Sequence, residues 1–234
     1  MYPVAILAGG LATRLRPITQ TIPKALVEVA GKPFILRQLE YLRGQGVQHV
    51  VLCVGYLGEM IQDLVGTGER FGLQVSYSPD GSTLLGTGGA LKKAVPLLGG
   101  HFFVLYGDSY LPVDFFEVQR VYEQSGQQAL MTVLENCNRW DKSNVFFKCG
   151  RLVEYNKRAP SPDMAYIDYG LGVVAAEVLG QYPAEEHFDL ADVYQTLSRQ
   201  GQLAGHEVHD RFYEIGSHSG LKEAEEFFLT KEQL

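Results

Sequence analysis

Apolar, β-branched runs alternate with stretches of helical spacing through the first half of the chain. Val4–Leu7, His49–Val54, Leu73–Tyr77 and Phe102–Leu105 predict short strands. Between them Phe34–Arg43, Leu57–Val65 and Gly89–Leu97 repeat apolar residues at helical intervals. Strand, helix, strand in regular succession predicts right-handed crossovers and a mostly parallel, Rossmann-like sheet with helices on both faces. Such sheets bind ligands beyond the carboxyl ends of their strands. The segments Ala8–Lys24, Ser78–Gly89 and Tyr106–Asp108 all leave strands at that edge. Three polar or glycine-rich loops are therefore expected to line one cleft.

The second half has a different rhythm. Ala129–Leu134, Asn144–Phe147, Leu152–Tyr155 and Tyr166–Ala175 predict strands with short connections, hence a smaller antiparallel lobe. Helical spacing returns at Leu190–Arg199 and Leu221–Phe228, and Phe212–Gly216 predicts a strand that rejoins the first lobe. With no repeat and no long linker, the α/β chain is expected to be one domain over 1–234. Its parts are a first lobe (1–110), a second lobe (111–211) and a returning strand with a terminal helix (212–234).

Composition narrows the class. A chain of 234 residues, 46% hydrophobic, buries roughly 70% of its extended surface on folding and needs no covalent staple. Cys53, Cys137 and Cys149 are odd in number and lack metal-ligand spacing, so free thiols in a cytoplasmic protein are expected. The start, MYPVAILAGG, has no basic n-region and is read as a strand and not a leader; no apolar run of membrane-spanning length occurs. A net charge of −7 argues against nucleic acid as a partner. Its distribution matters more: residues 1–27 hold Arg14, Arg16 and Lys24 and no Asp or Glu, the setting for an anion site.

That anion site has a chemistry. Ala8-Gly9-Gly10-Leu11-Ala12-Thr13-Arg14 follows the first strand, then Pro17, then Pro23-Lys24. Glycines let backbone N–H groups approach phosphate oxygens and form an anion nest. Arg14 supplies a rigid fork and Lys24 a compact charge. The pattern is neither G-x-G-x-x-G nor a Walker loop. Leu7–Pro17, Pro23-Lys24-Ala25-Leu26 and Gly31-Lys32-Pro33 together closely resemble the signature of the sugar-1-phosphate nucleotidyltransferases, in their short form. This form is most similar to the heptose-, mannose- and N-acetylmuramate-1-phosphate enzymes, with a fold similar to the GT-A glycosyltransferases. The family usually has glycine where Ala12 stands; a methyl there takes room beside the phosphates unless the residue keeps φ below zero.

The resemblance assigns the remaining parts. Gly86-Thr87-Gly88-Gly89 is similar to the family's second nucleotide segment, where backbone groups read the base. Asp108, after an apolar strand and beside Gly107, matches the Mg²⁺-binding aspartate, and Mg²⁺ takes such oxygen ligands. Glu214 stands where a second metal carboxylate, usually aspartate, is found; Asp210 is out of register. Lys157 matches the lysine that holds the acceptor phosphate. Asn156 replaces a sugar-binding glutamate, and Asp168 with Gly170 resembles another strand of the sugar pocket, as does Asn144 less directly. Trp140, Phe146, Phe147 and the Phe227–Phe228 pair are expected to be packing, and His206, His209 and His218 have no assigned role.

The implied reaction joins a nucleoside triphosphate and a hexose- or heptose-type sugar 1-phosphate, releasing pyrophosphate. It would proceed by Mg²⁺-assisted in-line attack, with Arg14, Lys24 and Asp108 as catalytic residues. Two other readings stay open: transfer to a non-sugar phosphate such as phosphocholine, and a non-catalytic nucleotide-binding homologue. The partners are then two small anions, with no nucleic acid and no membrane, in a possible homo-oligomer.

Overall fold

Alternation with period two sorts the first strand, β1 (Val4–Ala8), between two cores: Val4 and Ile6 face one and Ala5 the other. The computed structural model describes residues 1–231; residues 232–234 of the terminal segment lie outside the described residues. After β1 come 3-10 turns, a ribbon of β2 (Glu28–Val29) and β3 (Lys32–Pro33), and α1 (Phe34–Gly44). β4 (His49–Val54), α2 (Gly58–Val65), β5 (Gln74–Pro79), α3 (Gly86–Leu98) and β6 (His101–Tyr106) complete the alternating half. β4 and β6 pair parallel to β1 on its two sides, and β5 lies parallel outside β4.

Helices cover both faces, as the pattern predicts. Ile35, Leu39 and Leu42 of α1 pack with Ile6, Val50 and Leu52, while Ala90, Leu91 and Ala94 of α3 pack with Ala5, Val51 and Cys53. Ile6, Leu52 and Phe103 are fully buried, and burial of each contributes roughly 1.5–3 kcal/mol.

The second half comprises β7 (Ser109–Tyr110), α4 (Phe115–Ser125), β8 (Ala129–Glu135), β9 (Val145–Lys148), β10 (Arg151–Tyr155) and β11 (Tyr166–Ala175). It ends with α5 (Ala176–Gly180), α6 (Leu190–Arg199), β12 (Leu203–Val208), β13 (Tyr213–Glu214) and α7 (His218–Lys231). β11 runs antiparallel to β6, so the antiparallel portion continues the same sheet. β8 and β9 pair antiparallel with β11, β10 pairs with β9, and β12 lies parallel beside β8. Among the described residues no helix is long and apolar enough to cross a membrane, and all three cysteines are free.

Two local features place functional side chains. The β11–β8 ladder shifts register between Asp168 and Gly172, with Gly170 at φ 106°. Few L side chains hold that backbone, so the glycine permits a bulge that re-aims Asp168. Ala12, at the end of the first loop, has φ 48° and ψ 44°. This overturns the condition under which its methyl would be harmless, since the residue does not keep φ below zero. A left-handed alanine carries a penalty of about 1–2 kcal/mol. Ala12→Gly is therefore expected to stabilise the protein by roughly 0.5–1 kcal/mol in urea unfolding, after the extra chain entropy of glycine is deducted. An unchanged or lower midpoint would show that the turn holds alanine without strain.

Candidate active site

The strand ends and loops of the parallel half bring a first cleft of about 300 Å³ to the carboxyl edge of the sheet. Ala8, Gly9 and Gly10 from the first loop, Lys24, Gly86, Thr87 and Asp108 all line it. A second cleft, about 480 Å³, lies over the antiparallel half and is lined by Arg14, Asp108, Asn144, Lys157, Asp168, Gly170 and Glu214. Asp108 and Tyr106 belong to both. The two clefts thus meet at one carboxylate.

Close backbone packing holds that carboxylate in place. The Gly107 N–H donates to Leu7 O at 2.9 Å, and a Cβ at Gly107 would meet the same oxygen at 2.9 Å and Ala8 Cβ at 3.1 Å. Only glycine lets the ends of β1 and β6 come this close. Beneath the turn, Gln38, which is 2% exposed, donates from Nε2 to Tyr106 O at 2.9 Å and Ser109 O at 2.8 Å. β13 then pairs antiparallel with β7, putting Glu214 opposite Ser109, and the Ile215 N–H donates to Asp108 O at 2.9 Å. The Phe212–Gly216 run does return to the first lobe, but as a two-stranded ribbon outside the main sheet.

Charges converge on this ribbon. Lys24 Nζ lies 2.8 Å from Asp108 Oδ2, both side chains about three-quarters or more buried. A Cβ built on Gly216 would meet Glu214 Oε2 at 2.3 Å, Arg14 at 3.1 Å and Asp108 Oδ2 at 3.4 Å. Both carboxylates and the guanidinium therefore reach the same small space. Glu214 is held there by its own loop, accepting from Gly216 N–H at 2.6 Å and Ser217 Oγ at 2.9 Å. The extra methylene of glutamate is absorbed by this turn back over Gly216. Among the described residues no group of three His, Cys, Asp or Glu comes together to hold a metal. Two carboxylates suit Mg²⁺, which completes its shell with water and substrate phosphates.

Asp168 sits at the floor of the second cleft. Its Oδ1 accepts from Gly170 N–H at 3.0 Å, and its own N–H donates to Asn144 Oδ1 at 2.9 Å. Burial pushes its carboxyl up to about 6, opposed by the Gly170 amide and by Lys157. Between about pH 4 and 6 the native protein takes up a proton that the unfolded chain does not, so the penalty is absent below pH 4 and complete above pH 6. Asp168→Asn should raise stability at pH 7 by on the order of 2 kcal/mol, with the gain gone at pH 4. A gain that persists at pH 4 in thermal melts would remove the carboxylate as its cause.

The structure places several other predicted residues elsewhere. Leu11, Ala12 and Thr13 line neither cleft: Leu11 is exposed and Thr13–Leu15 folds into a 3-10 turn. That turn carries Arg14 to the second cleft instead of the first. Gly88 and Gly89 do not face the first cleft either. Both N–H groups donate to Phe188 O, at 2.9 and 3.3 Å, and a Cβ on Gly88 would meet the Phe188 ring at 2.3 Å. Their glycines serve packing of α3 against the 186–190 segment, where Thr87 Oγ1 accepts from Leu190 N–H at 2.8 Å. Asn156 also lines neither cleft; its Oδ1 accepts from Ala159 N–H at 2.9 Å and closes a turn.

Trp140 packs against the first core as expected and also lines the second cleft with Arg139, Tyr155 and Arg211. Phe147 and Phe228 are buried as expected. Asp80, His187 and Asp189 join the first cleft without a motif to announce them. Burial raises the Asp80 carboxyl, opposed by the Leu85 amide and Lys93.

Known proteins share this fold. The family model for nucleotidyl transferases matches residues 4–143. The chain is 30% identical over 224 residues to an N-acetylmuramate alpha-1-phosphate uridylyltransferase of Neisseria meningitidis, covering 94% of this chain and 95% of that one. It is 29% identical over 217 residues to the mannose-1-phosphate guanylyltransferase catalytic subunit beta of Danio rerio, covering 90% of this chain but only 60% of the relative's length. The crystal structure of HddC from Yersinia pseudotuberculosis superposes with a TM-score of 0.81 at 26% identity, covering 97% of this chain and all of that one. The same protein has been solved complexed with GMP-PN. With the family model spanning more than half its length, this chain belongs to the nucleotidyl transferase family, among the sugar-1-phosphate nucleotidyltransferases.

Proposed function

We propose that the chain transfers a nucleoside monophosphate from a nucleoside triphosphate to a sugar 1-phosphate and releases pyrophosphate. One observation carries this reading: two clefts, one glycine-walled and one polar, meet at the Lys24–Asp108 pair. Transfer between two anions needs just such a meeting point. The names of the relatives, which cover N-acetylmuramate, mannose and heptose 1-phosphates, support an acceptor of this class.

In this mechanism the first-loop amides of Gly9 and Gly10 cradle the triphosphate. Lys24 neutralises charge that develops on the α-phosphate, and Lys157 holds the acceptor phosphate against it. The acceptor is already an anion at neutral pH, so direct in-line attack needs neither a general base nor a covalent intermediate. Arg14, from the acceptor side, adds a second positive group at the junction. Asp108 and Glu214 would hold Mg²⁺, which when bound supplies Lewis-acid charge neutralisation at the reacting phosphate.

The test is a matrix of four triphosphates against several sugar 1-phosphates, read by pyrophosphate release, with phosphocholine as a control acceptor. Acceptor-dependent release with a sugar 1-phosphate is expected. Release only with phosphocholine, or no pyrophosphate–triphosphate exchange under any condition, would sink the proposal.

A further inference from the structure

The segment from Tyr106 to Phe115 carries Asp108 but has little sheet to hold it. β6 ends at Tyr106, β7 is two residues long and pairs with β13, and residues 111–114 belong to no helix or strand. Buried main-chain groups in such a stretch must find partners outside a ladder. One helix supplies them. Gln38, Tyr41 and Gln45 recur at helical intervals along α1 and its carboxyl cap, which puts them on one face. Gln38 Nε2 donates to Tyr106 O at 2.9 Å and Ser109 O at 2.8 Å. The Tyr41 hydroxyl donates to Val113 O and accepts from Val113 N–H, both at 2.9 Å, and Gln45 Oε1 accepts from Phe115 N–H at 3.2 Å. Every one of these bonds ends on the main chain of the segment.

Within this stripe only Gln38 touches the turn that presents Asp108. Its single amide group takes the carbonyls just before and just after Gly107-Asp108, closing the turn from below and leaving the Asp108 carboxylate to the clefts. Gln38 Oε1 is buried and pairs with no group among the described residues, so the two donated bonds are the whole of its polar role. The side chain lines neither large cleft and cannot touch substrate there. What it governs is where Asp108 stands. The Gly107 N–H bond to Leu7 O and the Ile215 N–H bond to Asp108 O tie the turn to β1 and β13, and neither reaches α1. Asp108 Oδ2 must meet Lys24 at 2.8 Å beside Glu214 and Arg14, and a displacement of about 1 Å at such a junction costs up to about 10²-fold in rate.

We infer that Gln38 is a positioning residue for nucleotidyl transfer: by gripping the carbonyls on both sides of Gly107-Asp108 it fixes the carboxylate at the meeting point of the two clefts. This rests on the function proposed above.

Two substitutions in the full-length protein separate positioning from stability. Gln38→Met removes both donors at nearly the same length and volume. Tyr41→Phe removes bonds of the same stripe, but to Val113, beyond the turn, and keeps the ring contacts with Tyr110 and Phe115. Both should lower the thermal midpoint. Gln38→Met should also lower kcat about tenfold or more, with KM for triphosphate and sugar 1-phosphate within about twofold of wild type. Mn²⁺ binding beside a non-hydrolysable triphosphate, read from the free-ion electron paramagnetic resonance signal, should weaken in parallel. Tyr41→Phe should leave kcat and Mn²⁺ binding within about twofold of wild type. Gln38→Asn keeps the donors one methylene short, should fall between, and carries the test if the methionine variant does not fold. Wild-type kcat and Mn²⁺ binding in the Gln38 variants, or a loss of turnover in Tyr41→Phe as large as theirs, overturns the inference and leaves the proposed function standing. No pyrophosphate release by the wild type with any sugar 1-phosphate would instead remove that function and this inference with it.

Discussion

Asp108→Asn is expected to lower pyrophosphate release about 10²–10³-fold, equivalent to about 3–4 kcal/mol of transition-state stabilisation. The folded state should be almost unaffected. Asparagine is nearly isosteric, its carbonyl still accepts from Lys24, and a partly exposed pair of this kind contributes about 1 kcal/mol or less. The substitution removes the one charge shared by both clefts, so both substrates lose their common reference point while each cleft keeps its own walls. A Mg²⁺ titration adds a second readout: the concentration for half-maximal rate should rise, because one of the two proposed oxygen donors has become neutral. Release within threefold of wild type, at an unshifted Mg²⁺ midpoint, would take Asp108 out of the chemistry.

Gly216→Ala is expected to be the most damaging small substitution at the junction. The new methyl would lie 2.3 Å from Glu214 Oε2, far inside van der Waals contact, and 3.1 Å from the Arg14 guanidinium. Both neighbours are ends of flexible side chains, so the fold can yield. The carboxylate swings away and loses its bonds from Gly216 N–H and Ser217 Oγ, at about 1–2 kcal/mol. Activity cannot yield in the same way, because the methyl occupies the space where Asp108, Glu214 and Arg14 converge. A drop of at least about 10²-fold in turnover with a thermal midpoint lowered by only a few degrees is therefore predicted. Gly220→Ala is the contrasting control. Its methyl would meet the backbone oxygen of Glu214 at 2.4 Å, which no rotamer relieves, so stability and activity should fall together. If Gly216→Ala retained full activity, the convergence would have no catalytic meaning.

Much of the candidate site was legible along the chain because local rules place its residues there. The Gly9-Gly10 pair, Lys24 and Asp108 follow strand ends, and a strand end in a parallel sheet has a known destination. Their arrival in one cleft needed no more than the order of elements. Glu214 was readable only through resemblance, since nothing local pairs Tyr213–Glu214 with Ser109–Tyr110 across a hundred residues. Gly88 and Gly89 misled for a related reason. A glycine that admits a phosphate and a glycine that admits a neighbouring ring are identical in sequence, and only the Phe188 contact tells them apart.

By itself, then, the sequence determined the alternating half of the sheet, the acid-free first loop and the placing of Lys24 and Asp108 beside strand ends. Periodicity and strand-end placement depend on near neighbours, and near neighbours are what a sequence records. The tertiary structure alone decided the antiparallel continuation through β11, the turn that carries Arg14 into the second cleft, and the seat of Arg139 and Arg211 against Trp140. Each of these depends on contacts between distant segments, where burial and charge are set by the partner that folding supplies.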